Sequence, residues 1–431
     1  MNNKVLFLAN RDSEGGASEW LYKIVQTLNN AKFEVALVVK NKRKQDDFIF
    51  QLPIISIKKS FLQRIYNFIL RTFNIKKEYV FITKSEYSFF PGEDQSKRYV
   101  TAEDILSLIP FVPNIIITGL TFEFVNFSTL LDLQKRCNAA VYSTAFDMSV
   151  FTGGCHVVNE CDGFVVNCSN CPGVIAGDST FTTNNLQIKQ KYQLEGDFGL
   201  MYGSPWGLHQ AEKSLVHKNS KKVYIGNCVD TEMYNNANRD IAKRIFGFDN
   251  SQKVIFAGAD NVKEKRKGQL YLVEALSILH ERQTAKERDS IIVFIAGNNN
   301  KADEVISKIP YQVKLVNFIS DTRLLSLAYQ ASDVFVNTSI EDLGPAMVGE
   351  ALACGTPVVG FEMGLLFNDS LVINERNGYR AKIKDSNSLA NGIEYFVKLP
   401  KDYFDEASRL ARESILRNAS QNFFVSVIKE L

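Results

Sequence analysis

The chain has 431 residues, of which 45% are hydrophobic and 23% charged, and its formal net charge is +2. That length exceeds one ordinary core and calls for two domains, the composition is that of a globular chain, and the near balance of charge gives no case for a nucleic-acid partner. No apolar run approaches the ~20 residues that span a bilayer, and Met1-Asn2-Asn3-Lys4 leads into a strand rather than a signal peptide, so the expected place is the cytoplasm.

Residues 4–10 (KVLFLAN) read as a strand, and Glu14-Gly15-Gly16-Ala17 opens a helix through about residue 28. Glycines at a strand-to-helix junction let backbone amides approach a ligand, although read without context they mark a simple tight turn first. A second strand follows at 34–39. Residues 58–77 then carry apolar side chains at helical spacing, with Lys58, Lys59, Lys76 and Lys77 at the ends. Such a stretch either packs on the sheet beside it or lies on an anionic lipid surface. After a polar loop over 85–99, Thr101 with Asp104 has the pattern of a helix start, and strands at 114–118 and 139–144 flank a helix at 127–136. This is β-α alternation, as a doubly wound half-molecule requires.

The next segment, residues 151–175, is rich in cysteine. Cys155, Cys161, Cys168 and Cys171 read C-x5-C-x6-C-x2-C, and Cys171 is followed by Pro172. In a cytoplasmic chain such thiols point to metal or to reduced sulfur rather than to disulfides. The spacing suits a structural zinc that would staple a long loop, with His156 able to replace one ligand, and it also suits four reduced thiols. A Gly/Pro-bearing and then Lys-rich stretch at 203–220 marks the domain boundary.

The second half restarts the alternation with a strand at 253–258 and a helix at 268–280. Between them stands Lys263-Glu264-Lys265-Arg266-Lys267-Gly268. Cations where a strand meets a helix start either neutralise a diphosphate or form a solvated basic loop. Strands at 291–296 and 313–318 and a helix at 321–330 capped by Ser320 or Asp321 lead to the most informative stretch. The run Asp333-Val334-Phe335-Val336 reads as a buried strand, Gly344-Pro345 opens a helix with proline at its first position, and Gly355 with Pro357 closes it. Met347, Val348, Ala351 and Leu352 share one side. Glu350 falls among Ala346, Gly349 and Ala353, where small residues either leave room for a ligand or only permit tight packing. The remaining helices are expected at 386–397 and 403–431.

The sequence Glu341-Asp342-Leu343-Gly344-Pro345 followed by Glu350-Ala351-Leu352-Ala353-Cys354-Gly355-Thr356-Pro357 resembles the acidic signature of the retaining glycosyltransferases of family 4. The resemblance implies a GT-B fold: two α/β Rossmann-like domains facing across a cleft. The first would take residues 1–205 with the Cys-rich insertion, the second 206–400, and the helical tail 401–431 would return to the first domain. It implies that Glu350 holds the ribose, that Glu341 or Asp342 contacts the donor sugar, and that the loop Gly344-Pro345-Ala346 meets the diphosphate through backbone N–H groups, of which proline gives none. Lys267 before Gly268 matches the family's phosphate-binding lysine; the partner arginine is replaced by Ala259, and Arg266 or Lys263 would take its charge. Gly15-Gly16 match the family's first-strand glycines, and Asp147 the acid of the facing wall, but Phe146 stands where the family has a histidine. A subgroup of these enzymes has a similar Thr152-Gly153-Gly154-Cys155-His156 and Cys-x-x-Cys-Pro run.

The implied reaction moves a sugar from a UDP- or GDP-sugar to a glycan or lipid-linked hydroxyl with retention, in surface polysaccharide synthesis at the inner face of the cytoplasmic membrane. No metal is required for that chemistry. Two alternatives carry over from the departures: a GT-B nucleotide-sugar-binding protein that has lost catalysis, and a nucleotide-sugar epimerase on the same fold.

Overall fold

The structure, a computed structural model, describes residues 3–53, 82–83, 94–176, 180–259, 264–297 and 306–431. The basic stretch 58–77, most of the loop 85–99, and Lys263 lie outside the described residues. The chain forms two units, Met1–Tyr202 with Leu208–Val223, and Gly203–Gly207 with Tyr224–Leu431.

Unit 1 is built on β1 (Lys4–Arg11), β2 (Glu34–Asn41), β3 (Ile49–Gln51), β4 (Ile82–Thr83), β5 (Ile115–Thr118), β6 (Ala140–Thr144), β7 (Val174–Ala176), β8 (Gly199–Tyr202) and β9 (Lys222–Tyr224). Its large sheet has the order β3-β2-β1-β5-β6-β8-β9, while β4 and β7 pair separately. β1 is parallel to both neighbours, with Val5 opposite Val35 and Ile115. Val5 through Leu8 are fully buried, as a parallel strand covered on both faces demands. Helix α1 (Gly16–Asn30) buries Leu21, Ile24, Val25 and Leu28 at the spacing of one helical face. Each such side chain contributes about 1.5–3 kcal/mol. Helix α2 (Phe127–Cys137) starts at Asn126, whose side chain accepts from the Thr129 amide at 3.0 Å. Helix α3 (Phe181–Gly196) carries Lys189, fully buried, whose ammonium donates to the carbonyls of Ser149 (2.7 Å) and Thr152 (3.0 Å).

Unit 2 has an all-parallel sheet of order β12-β11-β10-β13-β14-β15. Its strands are β10 (Lys253–Ala259), β11 (Ile291–Gly297), β12 (Gln312–Val316), β13 (Val334–Asn337), β14 (Val358–Phe361) and β15 (Gly378–Ala381). The helices are α4 (Gln269–Arg282), α5 (Thr322–Gln330), α6 (Ala346–Ala353), α7 (Ser386–Val397), α8 (Lys401–Asn418) and α9 (Gln421–Lys429). Alternate residues of β10 feed two cores: Val254 and Phe256 join Phe294, Phe335 and Tyr329 on one face, while Ile255 and Ala257 join Leu272, Val293 and Ile393 on the other. Layers on both faces follow directly from that period of two. Asp333 pins the start of β13. It is buried, accepts from the Val254 amide at 2.8 Å, and meets Arg239 (3.0 Å), Lys243 (3.4 Å) and Lys253 (3.7 Å).

The expected boundary after residue 205 lies in the stretch where the chain passes from one unit to the other. The chain crosses in steps, with Gly203–Gly207 in unit 2 and Leu208–Val223 in unit 1. Residues 401–431 belong to unit 2. Arg412 of α8 donates to the carbonyls of Ala353 (2.7 Å), Tyr234 (3.0 Å) and Thr231 (3.1 Å), so it finishes the end of α6. The single tail helix also breaks at Ala419, where Ser420 bridges to Val229 and caps α9.

Candidate functional site

In unit 2 two strand-to-helix loops are joined to each other. The loop after β10 gives the Arg266 carbonyl to the Ile340 amide (2.7 Å) and the Lys267 carbonyl to the Thr338 hydroxyl (2.8 Å). Gly268 makes this approach geometrically feasible. Its φ is +64°, and a Cβ there would lie 2.0 Å from the Thr338 carbonyl oxygen. The Lys267-Gly268 pair is thus a lysine placed by a position that only glycine can occupy.

So held, the Lys267 ammonium meets Asp342 Oδ2 at 2.8 Å, and the Arg266 guanidinium reaches the same oxygen at 3.3 Å. Arg266 also donates to the Glu341 carbonyl (3.3 Å) and to Glu264 Oε1 (2.6 Å). Asp342 Oδ1 accepts from the Gly344 amide at 3.2 Å. Burial pushes the Asp342 carboxyl up, yet Lys267, Arg266 and the Gly344 amide outweigh it and leave it below the usual carboxylate range. The acid therefore stays ionised between its two cations. Glu341 is half-buried and is tied in through its backbone.

Helix α6 begins at Ala346 rather than at Pro345. Pro345 is extended (φ −62°, ψ 118°) and is the N-cap, giving no side-chain cap. Its loop is fastened from below by Ser204, whose hydroxyl donates to the Leu343 carbonyl and accepts from the Gly207 amide (3.1 Å). One turn into the helix, Glu350 Oε2 accepts from the Tyr329 hydroxyl at 3.0 Å, and Tyr234 also hydrogen-bonds this carboxylate. Burial, followed by the charge of Glu350, pushes both phenols well above their ordinary value, so both remain donors. A half-buried carboxylate on two buried phenols is fixed in direction.

The small-residue face beside Glu350 is filled by the protein itself. A Cβ on Gly349 would meet Val229 Cγ2 at 3.1 Å and Asn227 Cβ at 3.7 Å, and Ala353 is fully buried. Only Ala346 is exposed. Close packing, not ligand access, accounts for those small residues.

The structure thus gathers Arg266, Lys267, Asp342, Gly344 and Pro345 at one pair of loops, with Glu350 one turn along α6. Gly15, Gly16 and Asp147 belong to unit 1. Gly15 is the N-cap of α1 with φ +100°, and a Cβ on it or on Gly16 would meet nothing within 4 Å. Asp147 Oδ1 accepts from the Ser149 amide (2.7 Å), and Oδ2 lies 3.6 Å from His156 Nδ1. Phe146 packs edge-on against Trp20, ring centroids 4.6 Å apart. Sequence reasoning missed Tyr329, Tyr234, Thr338 and Ser204. A buried tyrosine on a helical stripe has the signature of core, and only a neighbouring acid in space reveals its second use.

Of the four clustered cysteines, Cys155 and Cys168 are buried and Cys161 and Cys171 half-buried, and none is in a disulfide. Cys155 and Cys171 share a hydrogen bond, which raises the Cys155 thiol and lowers that of Cys171 to about 6. The Gly163 amide donates to Cys161 Sγ at 3.4 Å. Among the described residues, however, no group of three or more His, Cys, Asp or Glu side chains could hold a metal ion. Likewise, among these residues no helix is long and apolar enough to cross a membrane.

Two parallel-sheet α/β units, the second with charged strand-to-helix loops, define the class: the chain has the fold of the GT-B glycosyltransferases. Within it, residues 251–398 match the family "Glycosyl transferases group 1", a span that holds Glu264, Arg266, Lys267, Asp342 and Glu350. A glycosyltransferase from Rickettsia africae ESF-5 superposes with a TM-score of 0.63 at 15% identity, covering 100% of this chain and 98% of that one. HepE of Anabaena, solved in complex with UDP and glucose, gives 0.59 at 14% identity, covering 99% of each chain. The uncharacterised glycosyltransferase MJ1607 of Methanocaldococcus jannaschii is 28% identical over 186 residues, 39% of this chain and 44% of that protein. The chain therefore matches less than half the length of that curated relative.

Proposed function

We propose that the protein is a retaining glycosyltransferase that moves a sugar from a UDP- or GDP-sugar to a hydroxyl of a glycan or lipid-linked acceptor, in surface polysaccharide synthesis at the cytoplasmic face of the membrane. The observation that carries this reading is the pairing of Lys267 and Arg266 with Asp342 at the loop before α6, with Glu350 set on Tyr329 and Tyr234 one turn on. Lys267 and the first-turn amides of α6 take the diphosphate, where a cation and a helix start both favour negative charge. Glu350 accepts from the ribose hydroxyls. Asp342 or Glu341 accepts from the sugar's hydroxyls.

In the transfer the bond from the anomeric carbon to the phosphate oxygen breaks, and a bond from that carbon to the acceptor oxygen forms on the same face. The departing phosphate oxygen takes the acceptor's proton, so an imidazole at position 146 is not needed for the balance. Lys267 stabilises the charge that grows on the leaving diphosphate. A positioned donor of this kind supplies on the order of 3 kcal/mol.

Incubation of the purified chain with a panel of nucleotide sugars tests the proposal. Slow release of free sugar and nucleoside diphosphate supports transfer chemistry. Interconversion of one donor into another would establish epimerisation, and tight binding without turnover would establish a non-catalytic binding protein.

A further inference from the structure

A second polar site lies in unit 1. At the carboxyl ends of β1, β2 and β3 there is a hollow of about 350 Å³, lined among others by Arg11, Glu14, Asn41, Arg43 and Gln51. Ligands of parallel α/β sheets are commonly bound at that end of the strands, and the volume is at the lower end of small-molecule sites. Its charge is uneven. Glu14 is paired with both guanidiniums, to Arg11 Nη1 at 3.5 Å and to Arg43 Nη1 through its other oxygen. One carboxylate thus serves two cations, and Lys42 adds a third to the lining. Lys42 itself is engaged with the Ile49 carbonyl at 2.6 Å.

The basic wall is built into the fold. Asp12, fully buried at the end of β1, accepts from the amides of Arg43 and Lys44 at 2.8 Å each. That clamp fixes the loop after β2 against the end of β1. The neighbouring Lys44 ammonium is used elsewhere, 3.0 Å from Glu19 and 3.6 Å above the Tyr22 ring. The hollow is thus lined by two guanidiniums that share one carboxylate, and their planar forks match phosphate and carboxylate.

We infer that this hollow binds an anionic group, phosphate or carboxylate, carried by the acceptor, so that the acceptor is a phosphorylated or acidic sugar rather than a neutral one. The assignment to an acceptor rests on the reading of unit 2 as the donor site.

The test uses the full chain with saturating UDP, which occupies the donor loops. Inorganic phosphate, glucuronate and glucose are each titrated and followed by ligand-observed NMR, for the wild type, for Arg11→Gln/Arg43→Gln and for Arg43→Gln alone. Arg43 is largely exposed, so the single variant is expected to fold. We expect phosphate or glucuronate to bind the wild type and to bind the double variant about tenfold more weakly, with UDP affinity unchanged and glucose showing no difference. The stronger of the two anions identifies the acceptor's charged group. Equal anion affinity in wild type and both variants, or equal affinity for glucose, would overturn the inference. If UDP fails to bind the wild type, the donor reading falls, while the comparison of anions across the variants still decides this one.

Discussion

Glu350 shows how one carboxylate acquires direction from residues far away in sequence. Tyr329 is buried and touches the acid through one atom, so its phenol acts on the ligand side through Glu350. Glu350→Gln is expected to raise KM for the nucleotide sugar about tenfold with a smaller change in kcat, as loss of a charged hydrogen-bond acceptor for a bound ribose would. Tyr329→Phe should follow in the same direction more weakly, and steady-state kinetics at varied donor concentration checks both. An unchanged KM in Glu350→Gln would remove the ribose role. The lysine and glycine at 267–268 were legible in the sequence, because cations before a glycine at a strand-to-helix turn have a recognisable pattern. Helical periodicity also placed Glu350 among small residues correctly. It said nothing of what covers them, and that cover, Asn227 and Val229, comes from a segment more than a hundred positions earlier.

Among the elements, the decisive arrangement is the joining of the loop after β10 to the loop after β13. Gly268→Ala would force a Cβ against the Thr338 carbonyl at a backbone angle suited to glycine, at a cost of about 2–3 kcal/mol. We expect a lower melting temperature and a loss of donor affinity together, measured by thermal unfolding with and without UDP. A variant that melts as the wild type does would show that the loops are not coupled there. Element positions were mostly readable from pattern: β1, β2, β10, β11, α4 and α7 fall where apolar runs and caps put them, within a residue or two at the ends. Helix α6 starts one residue later than proline suggested, because Pro345 serves as an extended cap. The interruption at Ala419 was not readable, since it is set by the bridge from Ser420 to Val229 and not by a helix breaker.

For the molecule as a whole, the two-domain organisation and the parallel α/β class followed from length and alternation, whereas the stepwise crossing did not. Composition marks a Gly/Pro-bearing linker but cannot tell which unit Leu208–Val223 packs with. Stability of the whole should respond to acid through His217. That ring is fully buried, 3.3 Å from Ser220 Oγ and edge-on to Phe151, and burial lowers its pKa from 6.5 to about 3. The fold therefore binds fewer protons at this site than the unfolded chain does. Its contribution is complete above pH 6.5 and is lost as pH falls from there toward 3, at up to about 1.4 kcal/mol per pH unit. Asp342 acts lower, since its depressed carboxyl contributes above its ordinary value of 3.8 and that contribution is lost below it. Melting temperature followed from pH 7 to 5 should fall in the wild type and fall less steeply in His217→Gln; equal slopes would exclude His217 as the source.

The central claim is that Lys267 and the start of α6 hold a nucleotide's diphosphate, and calorimetric titration tests it most directly. UDP and uridine, and GDP and guanosine, are titrated into the wild type and Lys267→Met. We expect one diphosphate to bind about a hundredfold more tightly than its nucleoside, a difference of about 2.7 kcal/mol, and Lys267→Met to erase most of that difference while leaving the nucleoside unaffected. Diphosphate affinity that is unchanged in Lys267→Met, or no better than that of the nucleoside in the wild type, would contradict it.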